Sequence, residues 1–312
     1  MATAKKQQPT FVQNLTTTLS HKRIRTLRLG VQILMFFIVN GVILGLSRTA
    51  FPAPIVMPAG APFATVWGGF DAIQYLLTHG QFPFLVFGIF FITGATVGKL
   101  FCGWACPVGL WQDMISWIPT KKWKISRPDN KAFQEFSGML LWTFVLFCGW
   151  LGIQRNQATL NDNMFTNIPY EFFEPGGILL VTLFYAFSWG VLPGGSSTSD
   201  VFNAMDSMGS MFIWKMAILL IIMLLSMKVP RMYCRWVCPT GALLGYVSPH
   251  SILTVKRDPL KCEDNCQKCE DACPMGVPIL DEPNDGIANS LCISCGNCID
   301  TCPEAMSFTI RL

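Results

Sequence analysis

An α-helical membrane domain followed by a small α+β domain held together by cysteines is the fold class that three features of this 312-residue sequence predict. First, the chain is 51% hydrophobic and only 13% charged, too little charge to cover the outside of a soluble globule of this size. Second, it holds apolar runs that approach, with their flanks, the ~20 residues needed to cross hydrocarbon about 30 Å thick. Third, eight cysteines crowd the C-terminal stretch in two groups whose spacing is that of metal cages.

The apolar runs lie near Leu29 to Leu46, Phe82 to Leu100, Gly138 to Ile153 and Met211 to Met227. Basic residues sort around them. Lys5, Lys6, Lys22, Arg23, Arg25 and Arg28 precede the first run, while only Arg48 lies between the first and second. Lys99, Lys121, Lys122, Lys124, Arg127 and Lys131 follow the second, and Lys228, Arg231, Arg235, Lys256 and Arg257 follow the fourth. Cytoplasmic loops carry the excess of Lys and Arg, so the N-terminus, the loop around Cys102 and everything after the fourth run are expected on the inner face. A fifth run, Ile178 to Leu192, would export the Lys228 segment if it crossed, and it is bracketed by Pro175-Gly176-Gly177 and Pro193-Gly194-Gly195. It is expected to be re-entrant or interfacial. The reading is therefore about four transmembrane helices in two related halves plus that segment. It divides the chain into a basic N-terminus (1–28), a membrane domain (29–247) and a C-terminal domain (248–312). The N-terminus shows no cleavage site, so the first span is expected to stay as an anchor.

The C-terminal cysteines are Cys262, Cys266, Cys269 and Cys273 before Pro274, then Cys292, Cys295, Cys298 and Cys302 before Pro303. This is the ligand pattern of a two-cluster ferredoxin, in which the fourth cysteine of each group crosses to the other [4Fe-4S] cluster. One cluster takes Cys262, Cys266, Cys269 and Cys302, and the other takes Cys292, Cys295, Cys298 and Cys273. The first group departs from the usual spacing, with three rather than two residues between Cys262 and Cys266. Zinc ribbons use similar spacings but do not place a proline after the last cysteine of each group. Disulfides require an oxidising compartment, and the charge pattern puts these thiols in a reducing one.

Phe101-Cys102-Gly103-Trp104-Ala105-Cys106-Pro107-Val108-Gly109 recurs as Tyr233-Cys234-Arg235-Trp236-Val237-Cys238-Pro239-Thr240-Gly241. Aromatic, Cys, Trp, Cys, Pro and Gly return at one offset, which marks two related halves. Helical spacing would put the two thiols of each pair on one face. Cys102, Cys106, Cys234 and Cys238 then have three readings: a third metal centre, redox dithiols, or small buried cysteines where prolines end the spans. Cys148 reads as a buried apolar residue. Asp71 and His79 read as members of a solvated outer loop, the rival being proton acceptors for a quinol. The basic run from Lys121 to Arg127, beside Trp117 and Trp123, reads as an anchor to anionic lipid headgroups. Ile252 to Lys256 and Ser307 to Ile310 read as short strands paired at the ends of the C-terminal domain.

These residues resemble the NapH/NosR/CcoG group of polyferredoxin-type membrane proteins, on the strength of the two motif copies at span ends followed by a double-cluster domain. NapH is the closest of these in size and layout, whereas the spacing from Cys262 to Cys273 is more similar to the NosR type. The resemblance implies an electron-transfer subunit of a prokaryotic inner-membrane oxidoreductase, passing quinol electrons toward an exported reductase. Expected cofactors are two [4Fe-4S] clusters, a third metal or redox-thiol centre and a quinone. Expected partners are membrane lipids and a haem or iron–sulfur redox protein in a complex, with no nucleic acid. The rivals are a membrane-bound metal or thiol reductase that matures another enzyme, and a redox sensor.

Overall fold

A computed structural model describes residues 23–57, 64–157, 164–174, 209–262 and 266–311. The Ile178 to Leu192 run lies outside the described residues. Helix α1 (Arg23–Val39) begins where Asp300 accepts hydrogen bonds from the amides of Ile24 (3.2 Å) and Arg25 (2.8 Å). An acid at the positive end of a helix satisfies donors that have no intrahelical partner, so the C-terminal segment caps the first described helix. The expected span to Leu46 is not continuous helix. The Asn40 side chain turns back to the Phe36 carbonyl (2.9 Å), and a 3-10 turn over Gly41–Leu44 closes on Gly45 at φ +79°.

Strands β1 (Pro52–Ala53) and β2 (Trp67–Gly68) form a short parallel pair. Helix α2 (Gly69–Thr78) follows, then α3 (Phe84–Val97), which ends at Gly98 with φ +61°, a conformation that side chains rarely adopt. Helices α4 (Leu100–Trp104) and α5 (Pro107–Ser116) hold the first motif copy. Then come α6 (Arg127–Asn156), α7 (Met164–Asn167) and α8 (Gly209–Lys228), and α9 (Met232–Trp236) with α10 (Pro239–Val247) holds the second copy. In both copies the second cysteine is the N-cap and the proline opens the next helix. Cys106 (φ −70°, ψ 122°) and Cys238 (φ −66°, ψ 114°) are extended, as a residue before proline must be. This corrects the expectation of two thiols on one helical face: each pair straddles a helix break.

Helix α6 starts at a cap that local chemistry dictates. The Ser126 hydroxyl accepts from the Asp129 amide (3.2 Å), Pro128 sits in the first turn, and Arg155 lies in the last turn by the negative end. At about 1.5 Å per residue it is about 45 Å long. Among the described residues it is the one helix long and apolar enough to cross a membrane, and α3 is a shorter apolar helix. With 17 and 14 residues, α1 and α3 fall short of the expected spans. Helices α1, α3, α6 and α8 nonetheless all expose large apolar side chains, among them Phe37, Phe84, Leu146 and Leu220.

The C-terminal segment pairs β3 (Leu253–Arg257) antiparallel with β4 (Met306–Ile310), Leu253 opposite Ile310 and Arg257 opposite Met306. This matches the expected strands to within one residue. Between them lie α11 (Lys268–Asp271) and α12 (Asn297–Thr301), around a core of Val255, Met275, Val277, Ile279, Ile287 and Ile293. The core is pressed directly onto the first motif copy. A side chain at Gly103 would bring its Cβ within 2.5 Å of the Ile293 carbonyl oxygen. Gly103→Ala is therefore expected to separate the two surfaces and cost about 1–3 kcal/mol as an overpacking change, measured by thermal unfolding of the purified protein.

Candidate metal centres

Cys102, Cys106, Cys234 and Cys238 converge on one small cavity. Ile55, Val56, Lys99, Thr240, Gly241 and Ile293 complete the wall. Two thiols come from each motif copy, so the duplication seen in the sequence closes one cage. Cys106 and Cys238 are 4% exposed. Burial pushes the Cys102 thiol up to about 11 and the Cys234 thiol to about 12. Among the described residues no three His, Cys, Asp or Glu side chains are gathered to hold a single metal ion. The four thiols surround a space instead.

A second small cavity is lined by Cys273, Cys292, Cys295 and Cys298 together with Val255, Met275 and Ile293. One thiol from the first C-terminal group thus joins three from the second. Burial raises Cys273 to about 11 and Cys292 to about 12. Ile293 lines both cavities and forms a wall that they share. Of the remaining four cysteines, Cys269 is buried, and burial first and the nearby Cys302 second raise its pKa. Cys266 and Cys302 are half-buried, while Cys262 is exposed and donates to the Asp258 carbonyl (3.6 Å).

A polar frame fixes the shared wall. Arg231, fully buried and left-handed at φ +53°, donates from Nε (2.7 Å) and Nη2 (2.5 Å) to the Asp113 carboxylate and from Nη1 to the Cys102 carbonyl (3.1 Å). Arg28 reaches the same carboxylate (3.3 Å) and the Cys295 carbonyl (3.4 Å), and Gln32 donates to the Gly103 carbonyl (2.9 Å). Gln112 donates to the Cys234 sulfur (3.0 Å) and accepts from the Tyr233 amide (3.0 Å). The motif tryptophans lock the assembly from outside the cage: Trp104 donates to the Ser294 carbonyl (3.0 Å) and Trp236 to Asn130 Oδ1 (3.1 Å). Burial alone would raise the Asp113 pKa, but Arg231, Arg28 and Gln32 outweigh it and hold the carboxyl below its ordinary value.

Sequence reasoning missed Asp113, Gln112, Gln32 and the special place of Lys99. One signal was available: Asp113 is the only acid between Asp71 and Asp129, in an otherwise apolar stretch. The expectation of a solvated loop at Asp71 and His79 is overturned. Asp71 is 3% exposed on α2 and accepts from Gln74 (3.1 Å). His79 closes the same helix, accepting at Nε2 from Arg155 (2.8 Å), so its Nδ1 proton goes to the Tyr75 carbonyl (2.7 Å). Cys148 is fully buried on α6. A groove of about 900 Å³ opens between α6, α10 and the loop that contains Ser290. Cys234 and Lys99 line it, and at its exposed rim Trp142 donates to the Tyr246 hydroxyl (3.2 Å).

A family model described as a 4Fe-4S binding domain matches twice, over residues 80–126 and 211–256, and a 4Fe-4S dicluster domain matches residues 261–306. The two matches of one model coincide with the two motif copies. YccM of Escherichia coli is 25% identical over 85% of this chain and 67% of its own length. The ferredoxin-type protein NapH of Haemophilus influenzae is 26% identical over 66% of this chain and 60% of its own. The regulatory protein NosR of Stutzerimonas stutzeri is 21% identical over 69% of this chain and 25% of its own. The chain thus spans about two thirds or less of the length of these relatives. No solved structure matches. Cages and matches together define an iron–sulfur electron-transfer protein of the ferredoxin type. Within that class its similarity to the NapH and NosR proteins supports a polyferredoxin of the NapH/NosR type.

Asp113→Asn keeps the shape of the frame but leaves two buried guanidinium groups without a counter-charge. We expect a loss of about 3–5 kcal/mol, read by denaturant unfolding. Because the folded pKa of Asp113 is depressed, its contribution is present above the unfolded pKa of about 3.9 and is lost as pH falls through the folded one. The acid sensitivity of the wild type over that window should therefore weaken in the variant.

Proposed function

We propose that this chain is an integral membrane electron-transfer subunit built on three [4Fe-4S] cages and coupled to a quinone pool and a partner redox protein. The observation that carries the reading is Ile293, the wall common to the cavity of Cys102, Cys106, Cys234 and Cys238 and the cavity of Cys273, Cys292, Cys295 and Cys298. Cys262, Cys266, Cys269 and Cys302 are assigned to the remaining cage. Bound clusters supply one-electron carriers, and adjacency of cages is what a relay of such carriers requires. The protein's own work is to hold thiolates, exclude water and direct dipoles, as Gln112 does at the Cys234 sulfur.

Enclosure favours a metal centre over redox dithiols at the motif cysteines. Thiol–disulfide exchange needs an attacking thiolate with access to the sulfur, and Cys106 and Cys238, each 4% exposed in the cavity lined by Ile55, Val56 and Ile293, lack that access. Membrane integration is supported by the outward apolar faces of α1, α3, α6 and α8, which water would not tolerate together. On this reading those four helices are the spans of a membrane domain over 29–247. Residues 248–312 form the cluster domain on the basic, cytoplasmic side. The groove beside Cys234 is the assigned quinone site. It has the size and mixed lining of a cofactor cleft, and its aromatic rim suits the lipid interface. A haem or iron–sulfur protein is the partner at the opposite face.

Iron and sulfide analysis tests the cage count. Wild type is expected to carry about twelve irons, and a variant with Ser at Cys102, Cys106, Cys234 and Cys238 about eight. About eight in both would refute the third cage. Tyr246→Ala, at the rim of the groove, is expected to slow quinol-dependent cluster reduction at least tenfold with iron content retained. An unchanged rate would remove the groove from the pathway.

A further inference from the structure

Lys99 is 4% exposed, yet among the described residues no carboxylate forms an ion pair with it. Burying an ammonium without a partner is costly. The neighbouring cations are already satisfied: Arg231 and Arg28 share Asp113. On one side Lys99 lines the groove, and on the other it meets sulfur. Its side chain lines the cavity with Cys102, Cys106, Cys234 and Cys238. A Cβ built on Gly245 would lie 3.1 Å from its Nζ and 3.4 Å from the carbonyl oxygen of Ser290, two residues before Cys292. The ammonium therefore lies at the motif cage, on the side of the segment that carries Cys292.

From this geometry we infer that Lys99 is the fixed counter-charge of the Cys102, Cys106, Cys234 and Cys238 cage and raises its reduction potential above that of the neighbouring Cys292 cage. The inference rests on the three-cage reading. Four thiolates outweigh the positive charge of an iron–sulfur core, and each electron accepted adds one more negative charge. A buried cation in contact with the cage wall stabilises the reduced state more than the oxidised one. Lys99 acts as a positioning and tuning residue, with no bond made or broken at its nitrogen. It makes the motif cage the place where an electron rests, next to the groove that reaches Cys234.

Redox titration followed by EPR, with iron analysis, on full-length wild type, Lys99→Met and Lys99→Arg tests this. In Lys99→Met the one-electron equilibrium of the motif centre is expected to shift at least tenfold toward oxidation, about 59 mV lower, with a smaller shift at the Cys292 cage. Lys99→Arg should stay within about twofold of wild type. An unmoved potential in Lys99→Met, or an equal shift in both variants, overturns the inference. If Lys99→Met loses iron, recovery of about twelve irons in Lys99→Arg supports a requirement for charge, and loss in both variants overturns it. About eight irons in the wild type would instead sink the three-cage reading and this inference with it, whereas about twelve with an unmoved potential sinks this inference alone.

Discussion

One carboxylate shared by buried guanidinium groups carries the assembly. Asp113 lies on α5, just after the first motif copy, Arg231 introduces the second, and Arg28 arrives from α1. Each arginine also donates to a carbonyl of a cage segment, that of Cys102 for Arg231 and that of Cys295 for Arg28. Two buried cations against one buried anion balance only when these carbonyls supply the remaining acceptors. The ion pair can therefore form well in only one arrangement, with both motif copies and the Cys295 loop in contact. Its value is in specifying that arrangement rather than in net stability.

The rest of the site follows from this clamp. With Arg231 and Asp113 in place, the two Cys-Pro helix starts face each other and four thiols meet. With Arg28 in place, the loop from Cys292 to Gly296 lies on Gly103 and Trp104, and Ile293 becomes the common wall. The first described helix takes its cap from Asp300 of the C-terminal segment, so these two elements are tied at the same junction. A ferredoxin-type segment that docked loosely would leave the two cages to find each other by diffusion. Here the distance between them is set by packing.

Outward from the junction, the chemistry becomes amphipathic. Helix α6 runs from a capped, basic start beside the cluster segment, where Arg127 pairs with Glu270 and Asp281, to an apolar exposed middle. Surface pairs of this kind contribute little stability, but they orient the long helix relative to the cages. The groove between α6 and α10 follows the same gradient, from the Lys99 and Cys234 wall to the Trp142 and Tyr246 rim.

Which thiols belong together was legible in the sequence to the extent that ligand chemistry is local. Cys, Pro and short intervals between them mark cluster ligands, so the two C-terminal groups could be read as cluster-binding, whereas the repeated motif left three readings open. What tertiary structure alone decided is how charges and helix ends are used. A single Asp in an apolar run, or a Lys next to a span, has the same local signature whether it faces water, lipid headgroups or a cage, and only its neighbours from distant segments distinguish these. Asp71 was misplaced for the same reason, its burial being created by packing that no nearby residue encodes. Helix lengths failed differently: Asn40 and Gly98 end helices through a side-chain hydrogen bond and a positive φ, which hydropathy does not register. Local chemistry marked the thiols, and long-range electrostatics and packing decided where they meet.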